Sequence, residues 1–183
     1  MYFYPMPTLR QLFLANNAQT TDFPLLLEFE RAEGIYLYNS EGKAYTDLIS
    51  GIGVSSLGHG NPKVIEAVKQ QVDKYMHLMV YGEYVQTPQV RFAEKLISVL
   101  PENLQSVYFV NSGAEAVEGA IKLAKRFTGR QQVVACNGSY HGSTHGALSV
   151  MGNEEYKQAY RPLLPGVSFR NFNNVDDLQG ITN

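Results

Sequence analysis

Two short stretches carry residue types that could do chemistry. The first, Asn111-Ser112-Gly113-Ala114, follows a run of β-branched and aromatic residues (107–110) and opens a segment of helical period. Ala114, Val117, Ile121 and Ala124 fall on one face at spacings of three and four. Ser112 or Asn111 can cap the first turn, and Gly113 leaves room for a close backbone approach. Glu115 and Glu118 come early and Lys122 and Lys125 late, as a helix dipole prefers, and Glu118–Lys122 is a favourably oriented pair. A strand, a turn of small residues and a helix N-terminus together present free N–H groups, which suits them to grip a phosphate. An ordinary capped helix after an ordinary strand has the same pattern, so this stretch alone leaves both readings open.

The second stretch is the loop 137–146, which holds Tyr140, His141, Ser143 and His145. It follows the apolar run 132–136, the place where open α/β sheets put their ligands. Tyr140 could stack on a planar ligand or plug the core. His141 and His145 are four apart, but Gly142 and Gly146 argue against a helix there and no third ligand is near, so no metal site is expected. Ser143 lacks the flanking glycines of a nucleophile elbow. His59 and His77 read as hydrogen-bonded structural residues. No lysine sits in an apolar setting that would depress its pKa.

The elements that must hold these stretches can be read from punctuation and period. Residues 8–18 form a short amphipathic helix. A hairpin follows, with strands at 35–38 and 43–48 and a turn at 39–42. The glycine-rich passage 49–60 does not fit a dinucleotide fingerprint, and Asn61-Pro62 ends it. Pro62 opens a helix with Val64, Ile65, Val68 and Val72 on one face, and Thr87-Pro88 opens another that Pro101 stops. Residues 75–86 show no assignable period. From 107 on, strand, helix, strand (132–136), loop and strand (167–172) argue for a parallel α/β sheet, and 175–178 for the start of a helix.

Bulk properties set limits on the function. The 183 residues fit one domain or one domain with an appendage, and 44% apolar content can build a sizeable core. A net charge of −2 argues against nucleic acid or an anionic membrane as the partner. The one cysteine, Cys136, excludes an intrachain disulfide framework and fits a reducing compartment. With no apolar run of membrane-spanning length and no basic leader at the N-terminus, a soluble cytoplasmic protein is expected.

With these residues in view, the chain resembles the N-terminal half of a class III aminotransferase dependent on pyridoxal phosphate, of the acetylornithine/ornithine type. Four motifs carry the likeness in order: GIYLY (34–38) with EGKAYTDL (41–48); SGIGVSSLGHGNP (50–62); NSGAEA (111–116) with Glu118 and AIKLA (120–124); and YHG (140–142). The resemblance implies an α/β chain of fold type I, with a mostly parallel sheet and flanking helices after an N-terminal helix and hairpin. Residues 1–50 would belong to a small domain and 51–183 to an incomplete, truncated cofactor-binding domain.

The resemblance also implies roles. Ser112, Gly113 and Ala114 would hold the phosphate of pyridoxal 5'-phosphate, and Tyr140, with His141 beside it, would lie against the ring. Ile52 would line the substrate entrance near the interface of a homodimer, and Ser143 would face the substrate. The partners would be an amino donor and a 2-oxo acid acceptor. Ser143 stands where an arginine for a substrate carboxylate is usual, which admits an amine or another ω-amino substrate in place of acetylornithine. The lysine that attaches the cofactor and the aspartate that pairs with its ring nitrogen are expected beyond residue 183. The chain would then be a truncated product or one part of a longer enzyme. The alternative is a non-catalytic module that binds a phosphorylated ligand or serves dimerisation.

Overall fold

The computed structural model describes residues 6–79, 82–179 and 181. The chain divides into two compact units, one up to Tyr84 and one from Val85 on.

In the first unit, α1 (Leu9–Asn16) starts at a reciprocal cap. The Gln11 amide donates to the Thr8 hydroxyl at 3.3 Å, and the Thr8 amide donates to the Gln11 side chain at 2.8 Å. Three short antiparallel strands follow: β1 (Arg31–Glu33), β2 (Tyr36–Tyr38) and β3 (Ala44–Thr46). Their register pairs Ala32 with Leu37 and Leu37 with Tyr45. The turn at 39–42 is tied by the Asn39 side chain, which accepts the amides of Glu41 and Lys43 at 3.2 and 2.8 Å. The expected hairpin is therefore β2–β3, and the sheet gains β1 as a third strand.

The glycine-rich passage contains a single tight turn, α2 (Ser50–Gly53), and it is left-handed. All four residues have positive φ: Ser50 at 52°, Gly51 at 60°, Ile52 at 64° and Gly53 at 77°. Glycine takes this conformation freely, whereas β-branched Ile52 takes it only under strain. Helix α3 (Pro62–Lys74) then begins as the sequence expects, with Pro62 in its first turn and the Asn61 side chain accepting the Lys63 amide at 3.0 Å. Residues 80–81, within the stretch that has no assignable period, lie outside the described residues.

The second unit opens with α4 (Thr87–Ile97) and is built around α5 (Gly113–Thr128). Gly129 ends α5 in the left-handed conformation, at φ 72°. The β4 (Val133–Cys136) and β5 (Val167–Arg170) strands form a parallel pair, with Ala135 opposite Phe169. Between them runs α6 (His145–Ser149). Ala135, Ala147, Leu148, Val150 and Met151 are buried, and they are the buried apolar side chains among the described residues. Lys157 is also buried. Its ammonium lies 4.0 Å from the centre of the Phe169 ring and 3.5 Å from a Glu154 carboxylate oxygen, so the charge is compensated.

Three expectations need correction. The run 107–110 has the composition of a strand but joins no sheet among the described residues. Its side chains pack on helices instead: Phe109 meets Phe92 of α4, with ring centres 5.9 Å apart, and Tyr108 lies over Gly119 of α5. Gly142 and Gly146 argue against a helix through both His141 and His145, and 141–144 is not helical, but α6 starts at His145 and contains Gly146; the reason is a carboxylate described below. The 175–178 segment forms only a 3-10 turn, at Asp176–Leu178.

Glycine at 119 is not forced by the backbone. A methyl group there would meet the Tyr108 ring at 3.4 Å, an ordinary contact. G119A is therefore expected to stabilise the unit by about 0.5–1 kcal/mol, read as a higher urea midpoint with an unchanged slope.

Candidate functional site

The site lies in the second unit, where α5 begins. Ser112 is extended (φ −151°, ψ 160°) and caps the helix, its hydroxyl accepting the Glu115 amide at 3.2 Å. The Glu115 carboxylate turns back and takes the Asn111 amide at 2.7 Å. That leaves the next donors open: no acceptor among the described residues lies on the N–H of Gly113 or Ala114. Two adjacent N–H groups at the positive end of a 16-residue helix make a seat for an anion. Gly113 adds space, since a Cβ there would touch nothing within 4 Å.

A cavity of about 700 Å³ opens at this point, lined by Gly113, Ala114, Val117, Tyr140, His141 and the 142–144 segment. Tyr140 is 70% exposed, so its ring has a free face, and its hydroxyl lies 3.4 Å from the Ser143 hydroxyl. His145 is committed, its Nε2 lying 2.9 Å from the Pro162 carbonyl. Among the described residues no three side chains are grouped to hold a metal.

The loop reaches this position because two glycines let it press on α5. Gly142, at φ 122°, passes so close that a Cβ there would stand 2.6 Å from the Cβ of Ala114. One helical turn on, Glu118 Oε1 accepts the Thr144 hydroxyl at 2.7 Å, the Gly146 amide at 2.8 Å and the Ala147 amide at 3.1 Å. A side chain at 146 would overlap that carboxylate, with its Cβ 2.2 Å from Oε2, which is why glycine is found inside α6. The Thr144 hydroxyl first, then the Ala147 and Gly146 amides and the charge of His145, hold the Glu118 carboxyl below the usual carboxylate range against the opposing effect of burial.

Sequence reading missed Glu118 in this role, since its helical spacing from Lys122 marks it as a surface charge. It also missed Asp47 in the first unit. There Asp47 Oδ1 accepts the amides of Ile49 and Ser50 at 3.0 and 2.8 Å, while Oδ2 lies 2.7 Å from His59 Nε2. His59 is thus the hydrogen-bonded structural residue it was read as. Its ring, followed by the Ser50 and Ile49 amides, holds the Asp47 carboxyl below its ordinary range. This cluster fixes both ends of the passage bearing the left-handed turn, where Ile52 is 89% exposed.

The family model of the class III aminotransferases matches residues 17–180. The chain belongs to that family. It is 43% identical over 152 residues to the acetylornithine aminotransferase of Archaeoglobus fulgidus, covering 83% of this chain and 40% of that one. Among solved structures of the family, the adenosylmethionine-8-amino-7-oxononanoate aminotransferase of Methanocaldococcus jannaschii superposes with a TM-score of 0.82 at 32% identity, over 89% of this chain and 40% of that one. The taurine:2-oxoglutarate aminotransferase of Bifidobacterium kashiwanohense, solved with PLP and glutamate, gives 0.79 at 34% identity, over 87% and 36%. The fold is accordingly that of fold type I, and the chain spans about 40% of the length of the curated relatives it matches. These class III relatives act on different amino donors by name, so likeness alone does not single out a donor.

Proposed function

We propose that this chain supplies the cofactor-anchoring part of a pyridoxal phosphate-dependent aminotransferase, which moves an amino group from an amine or amino acid to a 2-oxo acid. The observation that carries this reading is the pair of open amides at Gly113 and Ala114, two residues that line the same cavity as Tyr140 and His141. The residues fit the group: the amides suit a phosphate dianion, and the exposed Tyr140 ring suits a flat heteroaromatic. Ser112 orders the turn, and Gly113 lets the phosphate reach the backbone. When bound, the cofactor serves as the electron sink of amino-group transfer, while the protein supplies orientation and electrostatics.

Ser143 offers a hydroxyl where a fork of cationic donors would be needed to pair with a carboxylate. We therefore favour an amine or ω-amino donor, with acetylornithine or ornithine as the narrower alternative. Ile52, exposed on its strained turn, is the residue we assign to the substrate entrance. We read the whole enzyme as a cytoplasmic homodimer. The apolar face of α3, where Val64, Ile65, Val68 and Val72 are all exposed, supports a covered surface in the assembled protein.

Equilibrium dialysis of the chain against pyridoxal phosphate and against pyridoxal tests the anchoring role. The phosphorylated compound should bind saturably and more tightly; equal binding of the two would remove the phosphate seat. After borohydride reduction, peptide mapping should find no single lysine specifically modified, since none of the eight lysines lines the cavity.

A further inference from the structure

Glu118 lies on α5 four residues beyond Ala114, and its side chain ties that helix to a segment far along the chain. One carboxylate oxygen receives three hydrogen bonds from residues 26 to 29 positions downstream. Two of the donors are the amides of the second and third residues of α6, so the same oxygen caps that helix. The third is the Thr144 side chain, at the end of the segment that lines the cavity. Gly142 presses on Ala114 one turn earlier. The loop is therefore held to α5 at two points, with Tyr140 and His141 immediately before the first of them. The Gly142 contact is steric and has no preferred direction, whereas the Glu118 contact is directional and ionised, so it fixes where the loop sits along the helix.

We propose that Glu118 is a positioning residue: its carboxylate clamps the 140–147 segment to α5, so that the wall formed by Tyr140 and His141 stays in register with the open amides of Gly113 and Ala114. Glu118 does not line the cavity, so it acts through the loop. This inference rests on the cofactor reading above and adds a specific division of labour. The helix amides alone should bind inorganic phosphate, whereas a phosphorylated ring also needs the loop in place.

The test compares the full chain with E118A, E118Q and T144V, using inorganic phosphate and pyridoxal phosphate as separate probes, with amide hydrogen exchange at Gly146 and Ala147. E118A should bind pyridoxal phosphate about tenfold to a hundredfold more weakly, the size of one or two lost hydrogen bonds to a charged group. Its affinity for inorganic phosphate should be unchanged, and the two amides should exchange much faster. E118Q keeps an acceptor oxygen and should recover most of the loss. T144V removes one donor of three and, because Thr144 itself lines the cavity, is read by exchange at Gly146 and Ala147, which should quicken less than in E118A; this keeps the test available if E118A does not fold. The clamp is refuted if E118A binds pyridoxal phosphate as the unaltered chain does, if both ligands weaken in proportion, or if the Gly146 and Ala147 amides exchange no faster. Should the unaltered chain bind neither ligand, the cofactor reading falls, and amide exchange alone decides the clamp.

Discussion

Alanine in place of Gly152 is expected to remove most of the stability of the second unit. A Cβ at this position would stand 2.3 Å from the Cys136 carbonyl oxygen, 2.4 Å from the Gly138 nitrogen and 2.6 Å from the Ser139 nitrogen. All three are backbone atoms, so no side chain can swing aside to make room. They belong to the end of β4 and to the turn leading into Tyr140. The crossing is also hydrogen-bonded both ways, from the Gly152 amide to the Ser139 carbonyl at 2.8 Å and from the Gly138 amide to the Gly152 carbonyl at 3.3 Å. Opening it would pull on Met151, 2% exposed, and Val150, 5% exposed, which belong to the small buried core. Overpacking that cannot relax, together with two strained hydrogen bonds, should cost about 3–5 kcal/mol. Domains of this kind are typically stable by about 5–15 kcal/mol, and a unit with so few buried apolar side chains belongs near the lower end. Far-UV circular dichroism during urea denaturation reads the result. An unchanged midpoint for G152A would show that strand and loop do not cross this closely.

What the sequence made legible was local. Helix α3 is marked by the Asn61 cap and Pro62, α4 by Pro88, and α5 by the Ser112 cap and the Gly129 stop; all three begin where those signals stand. The β2–β3 hairpin is marked by Asn39 and Gly42. Illegible features depended on partners far along the chain. Strand β1 is three residues long with two of them charged, and only its pairing with β2 makes it a strand. The 107–110 run failed as a strand because valine, tyrosine and phenylalanine favour burial against a neighbour, and here the neighbours are helices α4 and α5. Gly146 lowers helix propensity by about 1 kcal/mol, yet α6 forms across it, since the Glu118 carboxylate needs the space and supplies the cap. Asp47 and His59 stand twelve residues apart, and nothing between them announces the pair. The candidate site divides in the same way: the helix N-terminus could be read from the four residues 111–114, but the loop facing it could be placed only through contacts that no local pattern encodes.

The most direct test of the phosphate seat removes one of its donors and fills the space beside it. Proline at 113 should leave the fold intact and still abolish most anion binding. Gly113 is the first residue of α5, where proline is well tolerated because its missing N–H has no partner within the helix. Ser112, just before it, already has the extended φ −151° and ψ 160° that a following proline favours. A Cβ at 113 meets nothing within 4 Å, so the ring has room in this direction. Replacing glycine also narrows the unfolded ensemble, which offsets small losses of fit. The urea midpoint of G113P should therefore match or exceed that of the unaltered chain. Its affinity for inorganic phosphate and for pyridoxal phosphate should fall together by about tenfold to a hundredfold, as expected for one lost hydrogen bond to a doubly charged ligand. The joint loss separates this variant from E118A, which should spare inorganic phosphate. If G113P folds as stably as expected and still holds both ligands at full affinity, the anion does not rest on the N-terminus of α5. Tyr140 and His141 would then face a cavity with some other purpose.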